Sequence, residues 1–199
     1  MLKELFSPIK TIKNTKKNKD VTNHVLTLII ASLMFAIATI IILIKNQVLT
    51  NLLLTGLIIS TVYFAIAFVG GFIYSLLTKI IADKGTYKDS LIAVIQTALI
   101  LSTGLLITSI LLLIPNIGIL LGLITMFFTI ITGLAIFIRT MTELTGANTT
   151  QIITILIIVV VGTIIATQLI LILQLISEPA MFMNQANMEQ FVLDLNQTP

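Results

Sequence analysis

Between Asp89 and Arg139 the sequence carries no charged residue at all. An α-helix rises about 1.5 Å per residue, so about 20 apolar residues cross the roughly 30 Å of hydrocarbon in a bilayer. The uncharged run is too long for one crossing and long enough for two. Pro115-Asn116 supplies the break, because proline lacks a backbone N–H to donate and asparagine favours turns. Two spans are expected here, at about 90–114 and 117–138.

The rest of the chain divides in the same way. No charge lies between Val25 and Ile44, which gives a first span closed by Lys45-Asn46-Gln47. The apolar stretch from about 48 to 78 ends at Lys79 and is too short for two spans and a turn, so it is one long helix, tilted or projecting. The Gly70-Gly71 pair could kink it. A fifth span covers about 152–176 and stops at Ser177-Glu178-Pro179. The expected architecture is an all-α membrane protein, a bundle of five transmembrane helices at 25–176, between a basic segment at 1–24 and a short tail at 177–199.

Composition excludes a water-soluble alternative. Of 199 residues 57% are hydrophobic and 10% charged, against about 45–50% and about 25% in soluble domains. Ile, Val and Thr are abundant, and in water they lower helix propensity. In lipid that preference is overridden, since a helix satisfies its backbone polar groups within its own segment. A membrane β-barrel would need alternating segments of about ten residues, and none is seen. The first apolar run begins near Val25 and is about twenty residues long, longer than the about 7–15 of a signal-peptide core. It is expected to remain in the mature protein.

Basic residues set the expected orientation. The N-terminal segment has Lys3, Lys10, Lys13, Lys16, Lys17 and Lys19, the loop after span two has Lys79, Lys84 and Lys88, and Arg139 follows span four. With five spans all of these fall on one side, and only Lys45 falls on the other. Cytoplasmic loops carry the Lys/Arg excess, so the N-terminus is expected inside and the C-terminus outside.

The net charge of +3 is concentrated in a lysine-rich start beside a span. This points to anionic lipid headgroups, with Lys10, Lys13, Lys16 and Lys17 as contacts, and not to nucleic acid, whose binding motifs are absent. Leu2, Leu5, Phe6, Ile9 and Ile12 fall at helical spacing between the lysines. The segment is either an interfacial amphipathic helix, restarted by Ser7 as cap and Pro8 as first residue, or a basic leader that fixes topology.

The densest polar segment runs from Lys79 to Asp89. Gly85 suits a turn ending one helix, and Thr86 with Asp89 three residues on has the spacing of a capping box. Its Lys84, Gly85, Thr86, Tyr87 and Lys88 could also present a contact surface to a membrane or cytoplasmic protein. Thr149 is expected to cap span five. Gly118 and Gly122 form a G-x-x-x-G pair suited to packing within the chain.

Catalytic and cofactor signals are missing. Cysteine is absent, His24 is the lone histidine, and no Asp, Glu, Lys, Arg or His lies deep in a span. Gln96, Gln168 and Gln174 are better suited to hydrogen bonds between helices than to ion transfer. No catalytic residue, metal ligand or cofactor is assigned. A membrane scaffold or adaptor is the leading functional class, a passive channel or small-solute permease lined by Ser, Thr and Gln is the alternative, and an intramembrane enzyme ranks last.

Leu5-Phe6-Ser7-Pro8 followed by Ile9 and Ile12, five spans, and Lys84-Gly85-Thr86-Tyr87-Lys88-Asp89-Ser90-Leu91 opening the third together resemble the Yip family of Ypt/Rab-interacting membrane proteins. The N-terminal segment of about two dozen residues is similar to the short prokaryotic members. The resemblance implies a non-enzymatic role in recruiting partners or in membrane organisation or trafficking. It also implies a cytoplasmic N-terminus, and residence in the cell membrane of a prokaryote or early secretory membranes of a eukaryote. A Rab partner does not follow for a prokaryotic-type member.

Overall fold

The computed structural model describes residues 21–46 and 51–177. Five helices account for nearly all of them: α1 (Val21–Lys45), α2 (Leu52–Ala82), α3 (Tyr87–Leu111), α4 (Gly118–Thr145) and α5 (Thr149–Ser177). Each contains a stretch of at least 22 residues apolar and long enough to cross a bilayer. No strand occurs among the described residues. The chain is a multi-pass integral membrane protein.

Threonine is tolerated in these helices because its hydroxyl bonds back into its own helix. Thr61 donates to the Leu57 carbonyl, Thr163 to Val159 and Thr167 to Thr163. A polar atom facing lipid is thereby satisfied without a partner helix.

The chain falls into two units that divide within α5, between Ile155 and Leu156. In the first, α3 is the central element and packs against α1, α2 and α4, while α1 and α2 also pack on each other. Ser90, Ile92, Ala93, Ile95, Ala98, Ser102, Gly104 and Thr108 of α3 are buried. The surrounding helices instead turn large apolar side chains outward, including Leu53, Ile66, Leu123 and Phe128. In a bilayer these meet acyl chains, so their exposure costs nothing. The second unit continues α5, and Ile164, Ile165 and Leu169 there are exposed in the same way.

Small residues set how closely the helices approach. Gly71 lies where an added Cβ would stand 3.1 Å from the Leu91 Cα, so α2 and α3 touch nearly backbone to backbone. The α2 helix runs unbroken through Gly70-Gly71, and it is Gly71 that allows this close packing. Gly104 receives Thr129, and Gly133 receives Leu101, along the antiparallel α3–α4 contact. Gly118 closes on the Leu111 carbonyl and Gly122 on Leu112 and Thr108. The G-x-x-x-G pair therefore packs inside the chain.

The expected turn at Pro115-Asn116 is present, with Asn116 in the left-handed region at φ 63°. Its tightness comes from the Ile117 amide bonding the Pro115 carbonyl and the Gly118 amide bonding Ile114. At the opposite end, helices outrun the apolar spans: α2 passes Lys79 to reach Ala82, and α4 passes Arg139 to reach Thr145. Charged residues mark where the hydrocarbon ends, but headgroup water lets a helix continue through that layer.

Candidate functional site

The alternation of direction from α1 to α4 brings one end of each helix together. Gly56 faces Ile40 between α1 and α2, Gly71 faces Leu91 between α2 and α3, and Gly104 faces Thr129 between α3 and α4. Hence the start of α1, the turn 83–86, the end of α4 and the turn 146–148 lie at a common end. Lys79, Lys84, Lys88 and Arg139 are all there, with Asp83, Asp89 and Glu143. At the other end Lys45 is the one basic residue among those described, and its ammonium donates to the Leu112 carbonyl.

The turn from α2 into α3 is held from within. Thr86 caps α3 and forms a complete capping box with Asp89. The Thr86 amide donates to Asp89 Oδ2 at 3.1 Å, and the Thr86 hydroxyl reaches the same oxygen at 2.8 Å. Asp89 is buried, so its charge is stabilised by these donors and by the helix N-terminus. Gly85 has φ 83° and abuts Thr145 and Thr78, but the residue that ends α2 in the left-handed conformation is Asp83, at φ 49°. Gly85 thus lies in the turn that follows the end of α2, as expected, while the short polar side chain of Asp83 tolerates the left-handed cap conformation.

Lys84 joins this turn to the next one. Its ammonium donates to the Gly146 carbonyl at 3.0 Å, an acceptor at the end of α4. Gly146 itself is left-handed, at φ 71°. Gln151 of α5 adds a longer bond to the Ile81 carbonyl at 3.4 Å. Thr149 does not cap α5 as expected but is its first helical residue. Asn148 precedes it, and the Asn148 amide donates to the Gln151 side chain at 2.9 Å. The N-x-x-Q spacing was the sequence signal for this arrangement.

Of the five loop residues singled out by sequence, Thr86 and Gly85 are thus committed to backbone geometry and Lys84 to a link between turns. Tyr87 is exposed and Lys88 half-buried. Lys10, Lys13, Lys16 and Lys17 lie outside the described residues. On the same end Arg139 Nε pairs with Glu143 at 3.0 Å, one helical turn apart.

Deeper in the bundle a hydroxyl seam joins the helices. Ser102 donates to the Tyr63 hydroxyl at 2.9 Å, and Tyr63 donates to the Ala98 carbonyl at 3.0 Å. Ser60 bonds Ser32 at 3.1 Å, and Thr140 bonds Gln96 at 3.2 Å. The Tyr63 ring stacks on Phe35 with centroids 4.3 Å apart. These bonds link side chains across helix interfaces, while the buried Gln96 Nε2 has no hydrogen-bond partner among the described residues. Among the described residues, no cluster of His, Cys, Asp or Glu could hold a metal ion.

Comparison with known families decides the relationship. Residues 3–172 match the Yip1 domain. The chain belongs to the Yip family. The Yip1 match takes in α1 through α4 and most of α5, so the turns 83–86 and 146–148 are both parts of the Yip domain. No curated protein and no solved structure matches the chain.

Proposed function

We propose that this Yip family protein is a non-enzymatic membrane scaffold or adaptor whose basic end faces the cytoplasm. One observation carries the reading: two inter-helix turns and the end of α4 form a single polar surface at one end of the bundle, tied by the Lys84–Gly146 bond. Four of the five described basic residues gather there and Lys45 alone lies opposite, which by the Lys/Arg rule makes that end cytoplasmic.

On this surface Tyr87 and Lys88 are the contact residues for a protein partner, with Lys84, Gly85 and Thr86 holding the turn beneath them. Lys10, Lys13, Lys16 and Lys17, in the segment leading into α1, engage anionic headgroups beside it. A channel is favoured less, because most of the hydroxyls that would line it bond either a neighbouring helix or a carbonyl of their own helix. Their role in this reading is packing.

Photo-crosslinking in membranes tests the proposal. A crosslinker in place of Tyr87 is expected to capture a discrete protein, whereas the same group at lipid-facing Ile66 captures lipid. Lipid adducts alone from both positions contradict it. Vesicles reconstituted with the chain are expected to stay impermeable to small solutes.

A further inference from the structure

The α4 helix carries a groove of about 340 Å³ near its end, lined by Ala135, Ile138, Arg139, Thr142, Glu143 and Thr149. Its depth follows from helix geometry. From Gly118 to Arg139 is 21 steps of about 1.5 Å, roughly 32 Å, so a helix that enters one side of the hydrocarbon brings Arg139 to the opposite headgroup layer. Below the groove Phe128 and Ile131 lie exposed on the same helix, seven and four residues before Ala135. The surface is therefore charged at headgroup level and continues as an apolar track into the acyl region.

The charged part has both signs. Arg139 reaches Glu143 through Nε, and its two terminal amino groups have no hydrogen bond to a described residue. A planar guanidinium in this state suits a phosphate, which accepts two parallel bonds. One turn on, the Glu143 carboxylate is half-exposed at the groove wall and would repel a purely anionic group. The Thr142 hydroxyl donates to the Ile138 carbonyl, which leaves its oxygen as a further acceptor. A phosphate-binding cation followed by two acceptors matches a phosphate followed by a hydrogen-bonding ammonium.

We propose that this groove binds one phospholipid with a zwitterionic, primary-amine headgroup, of the phosphatidylethanolamine class. Arg139 holds the phosphate, Glu143 and Thr142 accept from the ammonium, and one acyl chain lies along Ala135, Ile131 and Phe128. Binding rests only on the chain's residence in a bilayer, and is independent of the adaptor reading.

Mass spectrometry of the intact chain, released from bilayers of matched acyl composition, tests this. Phosphatidylethanolamine is expected to be retained about fivefold over phosphatidylcholine, whose trimethylated ammonium cannot donate, about the worth of one hydrogen bond. It is also expected to exceed phosphatidylglycerol, which lacks the ammonium. Glu143→Gln should remove the preference over phosphatidylcholine, and Arg139→Gln should lower retention of both. Both residues are on a helix surface, and helicity by circular dichroism verifies that each variant is folded. Equal retention of the three lipids, a preference for phosphatidylglycerol, or a preference unchanged by Glu143→Gln would overturn the proposal.

Discussion

The ammonium of Lys84, in the turn between α2 and α3, bonds the carbonyl oxygen of Gly146, in the turn between α4 and α5, at 3.0 Å. These residues are far apart in sequence and join two helical hairpins at the polar end of the bundle. The bond also covers a carbonyl at a helix C-terminus, where a cation is favoured by the helix dipole.

Lys84→Met keeps the length of the side chain but removes that donor. Because the site is exposed, the expected loss is modest, about 0.5–1 kcal/mol. Hydrogen exchange should quicken at amides of both turns together, at 83–86 and at 146–148. Faster exchange confined to the first turn would mean that the link does not couple them.

Thr86→Ala removes the cap of α3 and should cost about 1 kcal/mol, within the usual range for such caps. Thr86→Ser should restore most of it, because serine offers the same oxygen. Thermal unfolding in detergent measures both, and equal losses for the two variants would contradict the capping role.

Gly71 and Gly162 offer a paired comparison. An added Cβ at Gly71 meets Leu91 at 3.0–3.1 Å, whereas at Gly162 nothing lies within 4 Å. Gly71→Ala should lower the unfolding temperature by forcing α2 and α3 apart. Gly162→Ala should leave it unchanged or raise it, as alanine is the better helix former by about 1 kcal/mol.

Tyr63→Phe keeps the stack on Phe35 and removes the hydroxyl between Ser102 and the Ala98 carbonyl. Interhelical bonds in membranes average about 0.6 kcal/mol, and a loss of roughly that size is expected in the same unfolding assay. A larger loss with new permeability to small solutes would favour the channel alternative.

Much of the fold is legible in the sequence because hydrocarbon imposes a length. The uncharged run after Asp89 and its Pro115-Asn116 break lead directly to α3 and α4, and Thr86 with Asp89 shows the start of α3. The central place of α3 is not legible in the same way, since apolar side chains suit lipid and protein neighbours alike. What distinguishes α3 is the burial of Ser90, Ser102, Thr108 and Ser109, small polar residues that allow close packing. The helix ends at Ala82 and Thr145 escape a charge-based reading because Lys79 and Arg139 mark the edge of the hydrocarbon and not the end of the helix. Of the candidate surface, the capping box was visible in residue spacing. The Lys84–Gly146 bond was not, as it joins turns that only the folded bundle brings together.

Labelling of single cysteines by a membrane-impermeant reagent tests the central claim most directly, because the natural sequence has no cysteine to remove. Cysteines at Tyr87 and Thr150 should react only after the membrane is opened, and one at Pro115 should react in intact cells. Tyr87 and Thr150 labelling from opposite sides, or Pro115 sharing their side, would contradict a bundle that gathers its basic turns on the cytoplasmic face.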